Sequence, residues 1–310
     1  MSKRRNIWFF IPPKVHILDL TGPVQVFYEA SDYGAAYDLR YIAAEDDLVS
    51  AAGLPFGRIG HYAAAAPQSG DFLFIPGADI DYLRSKKFKG DKKLFDWLRA
   101  LPEKGVSLCS VCTGAFFLAE AGLLNGRKCT THWKRSPELK RVYPKALVEE
   151  NILFVHSDHI YTSAGITSGI DLSLSIIEDH YGPLFTHKVA RELVVYYRRS
   201  DSHSQESVYL DCRNHLNMGV HAVQDWLIEN LHQKFTIESL ASIAHMSPRN
   251  LTRTFRKATE MSIIEYVKRL RLEKAEALGG NPGLSADSIA AKVGYSNARQ
   301  LRRIKATKKK

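Results

Sequence analysis

Cysteine is scarce, with four in a chain of 310 residues. Four are too few for a disulfide scaffold, which points to a reducing compartment. Long apolar runs are missing too. The run at 7–11 stops at Pro12-Pro13, too short for a signal-peptide core or a membrane span, and no later stretch reaches about 18 apolar residues. The expectation is a cytoplasmic protein with no membrane partner. Acidic residues run out before the end: none follows Asp287, whereas Lys292, Arg299, Arg302, Arg303, Lys305 and Lys308 to Lys310 do.

What is present is the balance of a soluble globular chain, 45% hydrophobic and 25% charged, and its length suits two domains. The formal net charge is +10. It is uneven: residues 201–310 hold 18 basic and 11 acidic residues, net +7, which leaves +3 for the first 200. A basic end fits a polyanionic partner, and a solubilising tail explains the charge equally well.

Residues 6–200 alternate strand and helix signals. Strands are expected at 7–11, 39–44, 72–75 and 106–110, with a hairpin of 152–155 and 160–163. Helices are expected over 18–30, with a break at Thr21-Gly22-Pro23, and over 94–101, 114–124 and 169–181. Such alternation predicts an α/β domain with a mostly parallel sheet. The polar, aperiodic stretch from Ser200 to Ser207 opens a linker. The expected division is 5–200, a linker at 201–219 and a helical domain at 220–310.

In the helical domain Thr236 is placed to cap a helix over 237–244, and His245-Met246 makes a turn. Ser247 caps a second helix with Pro248 at its first position, where the missing N–H costs nothing. Leu251 and Phe255, four apart, face inward. Arg249, Asn250, Arg253 and Arg256 face out. This is a helix-turn-helix with a basic, hydrogen-bonding outer face, as major-groove readout requires. The pattern returns about fifty residues later. Ser285 caps 286–293, Gly294-Tyr295 turns, and Ser296 caps 297–304, offering Asn297, Arg299, Gln300, Arg302 and Arg303. A helix over 262–278 would span about 25 Å between the units, against about 34 Å for one DNA turn. A helical bundle with solvated basic faces is the plainer alternative.

Residues 221–304 resemble the AraC/XylS regulator domain, through LASIAHMSPRNLTRTFRK, KRLRLEKAEAL and SIAAKVGYSNARQLRRI. The resemblance implies that the helices starting at Ser247 and Ser296 enter successive major grooves of double-stranded promoter DNA. That family ends its second recognition helix with an aromatic residue and adds a short final helix. Lys305 stands at the aromatic position and the chain stops at Lys310, so an abbreviated second core is expected.

In the first domain, Ser110-Val111-Cys112-Thr113-Gly114 lies between a strand and a helix. A nucleophile on such a bend stands above the sheet, and the helix N-terminus behind it favours a thiolate. A small buried thiol at a tight turn is the alternative. Cys109 and Cys112 form a C-x-x-C, but Cys109 falls inside the strand, which disfavours a redox pair. Cys129 is expected in a strand. Cys212 and His215 lack a second ligand pair, and His156, His159, His180 and His187 show no ligand spacing, so neither metal nor cofactor is expected. Gly165 to Gly169 permits close approach of a ligand or is simply a strand-to-helix turn.

Residues 6–190 resemble the ThiJ/PfpI superfamily, through LDLTGPVQVF, FIPGAD, SVCTGAFFLAEAGLLNGRKCTTHW and TSAGITSGIDLSLSIIEDHYG. They are most similar to GlxA-like regulators that fuse such a domain to an AraC-type one, and also to isocyanide hydratases. The resemblance implies a flavodoxin-like α/β sandwich followed by an all-α domain with two helix-turn-helix units. It implies a reactive Cys112, a contacting carboxylate at Asp19, a nearby His132, and an oxyanion site from the backbone of Gly77, Ala78 and Thr113. Members with a proteolytic reputation carry histidine directly after the cysteine, and Thr113 stands there instead. The implied protein is a DNA-binding regulator, not an enzyme, responding to a small molecule at the Cys112 elbow and dimeric through its first domain. A cysteine-dependent hydratase with a helical appendage is the alternative.

Overall fold

The structure, a computed structural model, describes residues 4–195, 212, 215–279 and 283–307. The chain divides into two compact units, Met1–Gln205 and Glu206–Lys310.

The first unit is built on a seven-stranded sheet. Within it, β1 (Arg5–Ile11) pairs in parallel with β2 (Tyr37–Ala43) on one side and β4 (Phe72–Ile75) on the other. Outside β2 lies β3 (Gly60–His61). Beyond β4 come β5 (Ser107–Val111), β9 (Ile160–Ser163) and β8 (Phe154–Ser157), the last antiparallel. A separate ribbon joins β6 (Lys128–Cys129) to β7 (Leu147–Val148). The long parallel strands therefore run 2-1-3-4-5, the flavodoxin-like order.

Helices cover both faces of the sheet, which is why β1 reads as an unbroken apolar run rather than an alternation. One face buries Ile7, Phe9 and Phe74 under α1 (Ile17–Asp32), α7 (Thr167–Tyr181) and α8 (Pro183–Glu192). The other buries Phe10, Leu73 and Leu108 under α2 (Ile80–Arg84), α3 (Lys86–Lys89), α4 (Lys92–Ala100), α5 (Ala115–Glu120) and α6 (Ser136–Val142). Two sequence expectations change. Helix α1 starts at Ile17 and runs through Gly22-Pro23, because the Pro23 ring is buried within the packed face. Helix α5 stops at Glu120, earlier than expected, where the chain turns at Ala121-Gly122.

Strand order reverses between β1 and β4, and there the loops that follow them are stitched together. Val15 bridges to Ala78. The His16 N–H donates to Gly77 O (2.8 Å), and the Asp79 N–H donates to Lys14 O (3.0 Å). In parallel α/β sheets, ligand crevices open at such a reversal, beyond the carboxyl ends of the strands.

The second unit is helical: α9 (Met218–Glu229), α10 (Ile237–Ile243), α11 (Pro248–Thr259), α12 (Ile263–Gly279), α13 (Ala286–Lys292) and α14 (Ala298–Thr307). It holds two apolar clusters. The larger includes Val223, Leu240, Leu251, Phe255, Tyr266 and Cys212. The smaller includes Leu272, Ala275, Ile289, Val293, Tyr295 and Leu301. Helix α12 contributes to both, so the spacer expected between the two units is itself a core element. Among the described residues no helix is long and apolar enough to cross a membrane.

Candidate functional site

The reversal point places Cys112 directly after β5, with φ 57° and 5% exposure. Three loops close on it. From the β1 loop, Asp19 in the first turn of α1 is buried (1% exposed), with a carboxylate oxygen within 4.8 Å of the Cys112 sulfur. From the β4 loop, Gly77 lies so close that a β-carbon there would sit 2.5 Å from Asp19 Oδ2 and 3.1 Å from Cys112 Cβ. From the β9 loop, a β-carbon at Gly165 (φ 111°) would sit 2.8 Å from Cys112 Sγ. Only glycine fits between these walls. The Gly165 to Gly169 stretch thus lies against the cysteine itself.

Asp19 holds two further groups. Its Oδ1 accepts the Ile166 N–H at 2.7 Å, and its Oδ2 lies 3.3 Å from His16 Nδ1. Ile166 carries φ 49° and ψ −108°, a strained conformation for a β-branched residue. His16 was not singled out in the sequence. Its signal was there as a His-x-x-Asp spacing at the start of a helix, which puts both side chains on one face. His16, Asp19 and Cys112 bring one potential ligand atom each to within 4.8 Å of one another.

Burial opposes the thiolate that the helix-terminus argument favours. Burial pushes the Cys112 thiol well above its usual range and the Asp19 charge adds to that, against a smaller opposing pull from the Thr113 N–H on the sulfur. Behind Cys112 the chain makes only a 3₁₀ turn, Cys112–Gly114, before the six residues of α5, so the helix field is small beside the desolvation cost. The expected oxyanion donors are also partly engaged. The Ala78 N–H donates to Thr113 Oγ1 (3.0 Å), and the Thr113 hydroxyl donates back to Ala78 O (2.8 Å). His132 is half-buried and caps a short turn, its Nδ1 accepting the Lys134 N–H at 3.3 Å. Burial lowers its pKa while the Asp19 charge works to raise it. Cys109 and Cys129 are fully buried in β5 and β6, and all four cysteines are unbridged.

In the helical unit, Thr236 and Ser239 form a reciprocal capping box ahead of α10. Ser247 Oγ accepts the Asn250 N–H at 3.3 Å and caps α11. Arg249, Arg253 and Arg256 are exposed along α11, beside a groove of about 760 Å³ that they share with Lys257. Asn250 is half-buried, with its Oδ1 taken by Arg253 Nη2 and Thr254 Oγ1.

The second repeat differs in one detail. Asn297, not Ser296, caps α14: its Oδ1 accepts the Gln300 N–H at 2.9 Å. Ser296 instead turns its N–H and hydroxyl onto Gln300 Oε1, both at 3.0 Å. The helix thus starts one residue later than expected and continues to Thr307. Arg299, Arg302 and Arg303 are exposed, and Gln300 is half-buried by its link to Ser296.

Two family profiles match the chain, DJ-1/PfpI over residues 5–179 and a helix-turn-helix domain over residues 240–307. The HTH-type transcriptional regulator CdhR of Pseudomonas aeruginosa is 28% identical over 295 residues, covering 94% of this chain and 85% of that protein. The isonitrile hydratase of Pseudomonas putida is 29% identical over 181 residues, covering 57% of this chain and 72% of that protein. A crystal structure of a ThiJ/PfpI family protein from Pseudomonas syringae is similar in fold, with a TM-score of 0.53, 19% identity and coverage of 83% of this chain and 90% of that one. Since the first profile spans more than half of its length, the chain belongs to the DJ-1/PfpI family, and it carries a helix-turn-helix domain after that fold.

Proposed function

We propose that the chain is a sequence-specific DNA-binding transcription regulator of the AraC type, whose DJ-1/PfpI unit binds a small-molecule effector at the Cys112 elbow. The observation that carries this reading is the repeated, capped helix-turn-helix, with the arginine face of α11 exposed. Phosphates and guanine edges are what such a face recognises. A hydratase has no use for it. The same reading makes the protein cytoplasmic and has it dimerise through the first unit, since paired half-sites call for paired readers.

A cysteine-dependent hydratase activity is the second reading, favoured by the closeness of the Asp19 carboxylate to the Cys112 sulfur. The raised thiol and the engaged Ala78 N–H weigh against it. A gel-shift titration at fixed salt on the protein's own promoter tests the regulator reading. Arg249→Ala with Arg253→Ala should weaken binding by about tenfold or more and lower the salt slope by about 2. Cys112→Ala should leave DNA affinity intact and change the effector response. Unchanged affinity in the arginine variant would count against the reading.

A further inference from the structure

We propose that His16, Asp19 and Cys112 form a three-ligand site for a borderline-soft divalent cation, of which Zn²⁺ is the type. Spacing along the chain does not point to one, because Cys112 lies far from the His16-x-x-Asp19 pair. The fold brings the three together at the sheet's reversal point, with one ligand atom each inside 4.8 Å.

The donor set is that of an open metal site: one sulfur, one nitrogen and one oxygen, with a fourth position left for water or a ligand. Bond lengths of about 2.0–2.3 Å put ligand atoms on a tetrahedron about 3.3–3.6 Å apart. The His16–Asp19 edge is already 3.3 Å, and the other two edges are no longer than 4.8 Å. Asp19 has outer support, because the Ile166 N–H fixes Oδ1 at 2.7 Å and leaves Oδ2 to face His16. Among the described residues no lysine or arginine ion-pairs with Asp19, although it is 1% exposed. His16 is its one ion-pair partner among the described residues, and a cation held by both would add a second. When it binds, the thiol proton leaves to solvent and the sulfur–metal bond takes its place. The route in is along His16, whose side chain is 39% exposed.

The inference deepens the proposed effector site and rests on that reading for its consequence: a metal-bound fourth ligand would be the effector's handle on the protein. The binding itself is tested without DNA. Full-length protein is stripped with a chelator and titrated with Co²⁺, with Zn²⁺ as competitor. A thiolate-to-cobalt charge-transfer band should rise to one equivalent per chain and vanish on adding Zn²⁺. Cys112→Ser should abolish the band, Cys109→Ser and Cys129→Ser should keep it, and His16→Ala and Asp19→Asn should each weaken affinity at least tenfold. His16→Ala alters a part-exposed side chain, so it is informative even if Asp19→Asn unfolds. No band, a band that survives Cys112→Ser, or unchanged affinity in His16→Ala would overturn the site. Loss of the metal site with intact gel shifts leaves the regulator standing, and the reverse outcome removes the regulator and keeps the site.

Discussion

At the scale of single residues, the elbow is a matter of clearance. Gly165 stands where any β-carbon would press on the Cys112 sulfur, and its own φ of 111° is one that other residues avoid. Gly165→Ala should therefore cost about 2–3 kcal/mol of stability, read as a lower urea midpoint. His180 is a second case. Its Nδ1 lies 2.7 Å from the Tyr37 hydroxyl, a bond the neutral ring accepts, and burial lowers its pKa to about 4. The folded state thus refuses a proton that the unfolded chain takes up near pH 6.5. Stability should fall as pH drops from about 6.5 toward 4, and His180→Gln should flatten that part of a urea-midpoint profile. A profile identical to the wild type would remove His180 from the account.

At the scale of elements, helix starts carry the pattern. Ser247→Ala should destabilise the helical unit by about 1 kcal/mol. In the second repeat Asn297→Ala should do the same and Ser296→Ala should do less, because Asn297 holds the Gln300 N–H. Circular-dichroism melts of the three variants decide between the two caps. The sequence made most of this legible, since caps, prolines and apolar spacing are local: Phe72–Ile75 and Ile160–Ser163 are the strands expected, and α11 begins where Ser247-Pro248 says it should. The misses were non-local. Pro23 reads as a break but sits in a helix whose packed face holds it. Whether Cys112 is a helix-terminus thiolate or a small buried thiol stays open until its burial is known. His16 gains meaning only when the β1 and β4 loops are seen to meet.

At the scale of the whole molecule, charge and core are distributed unequally. Much of the net +10 lies in the helical third of the chain, which suits encounter with a polyanion. Within that third, Arg271 ties the halves together. Its side chain donates to Leu231 O (3.0 Å) and Gln233 O (3.2 Å) and lies over the Tyr295 ring, where Gly294 leaves it room. Among the described residues the second cluster is otherwise small, with seven buried residues against fourteen in the first. Two cooperative units of such different size need not open together. Amide hydrogens of α13 and α14 should exchange faster than those of α10 and α11 in the free protein, and should slow most when DNA is added. The second reading head would then be ordered fully only by the sequence it reads, so part of its binding energy would go into folding and the rest into discriminating sites.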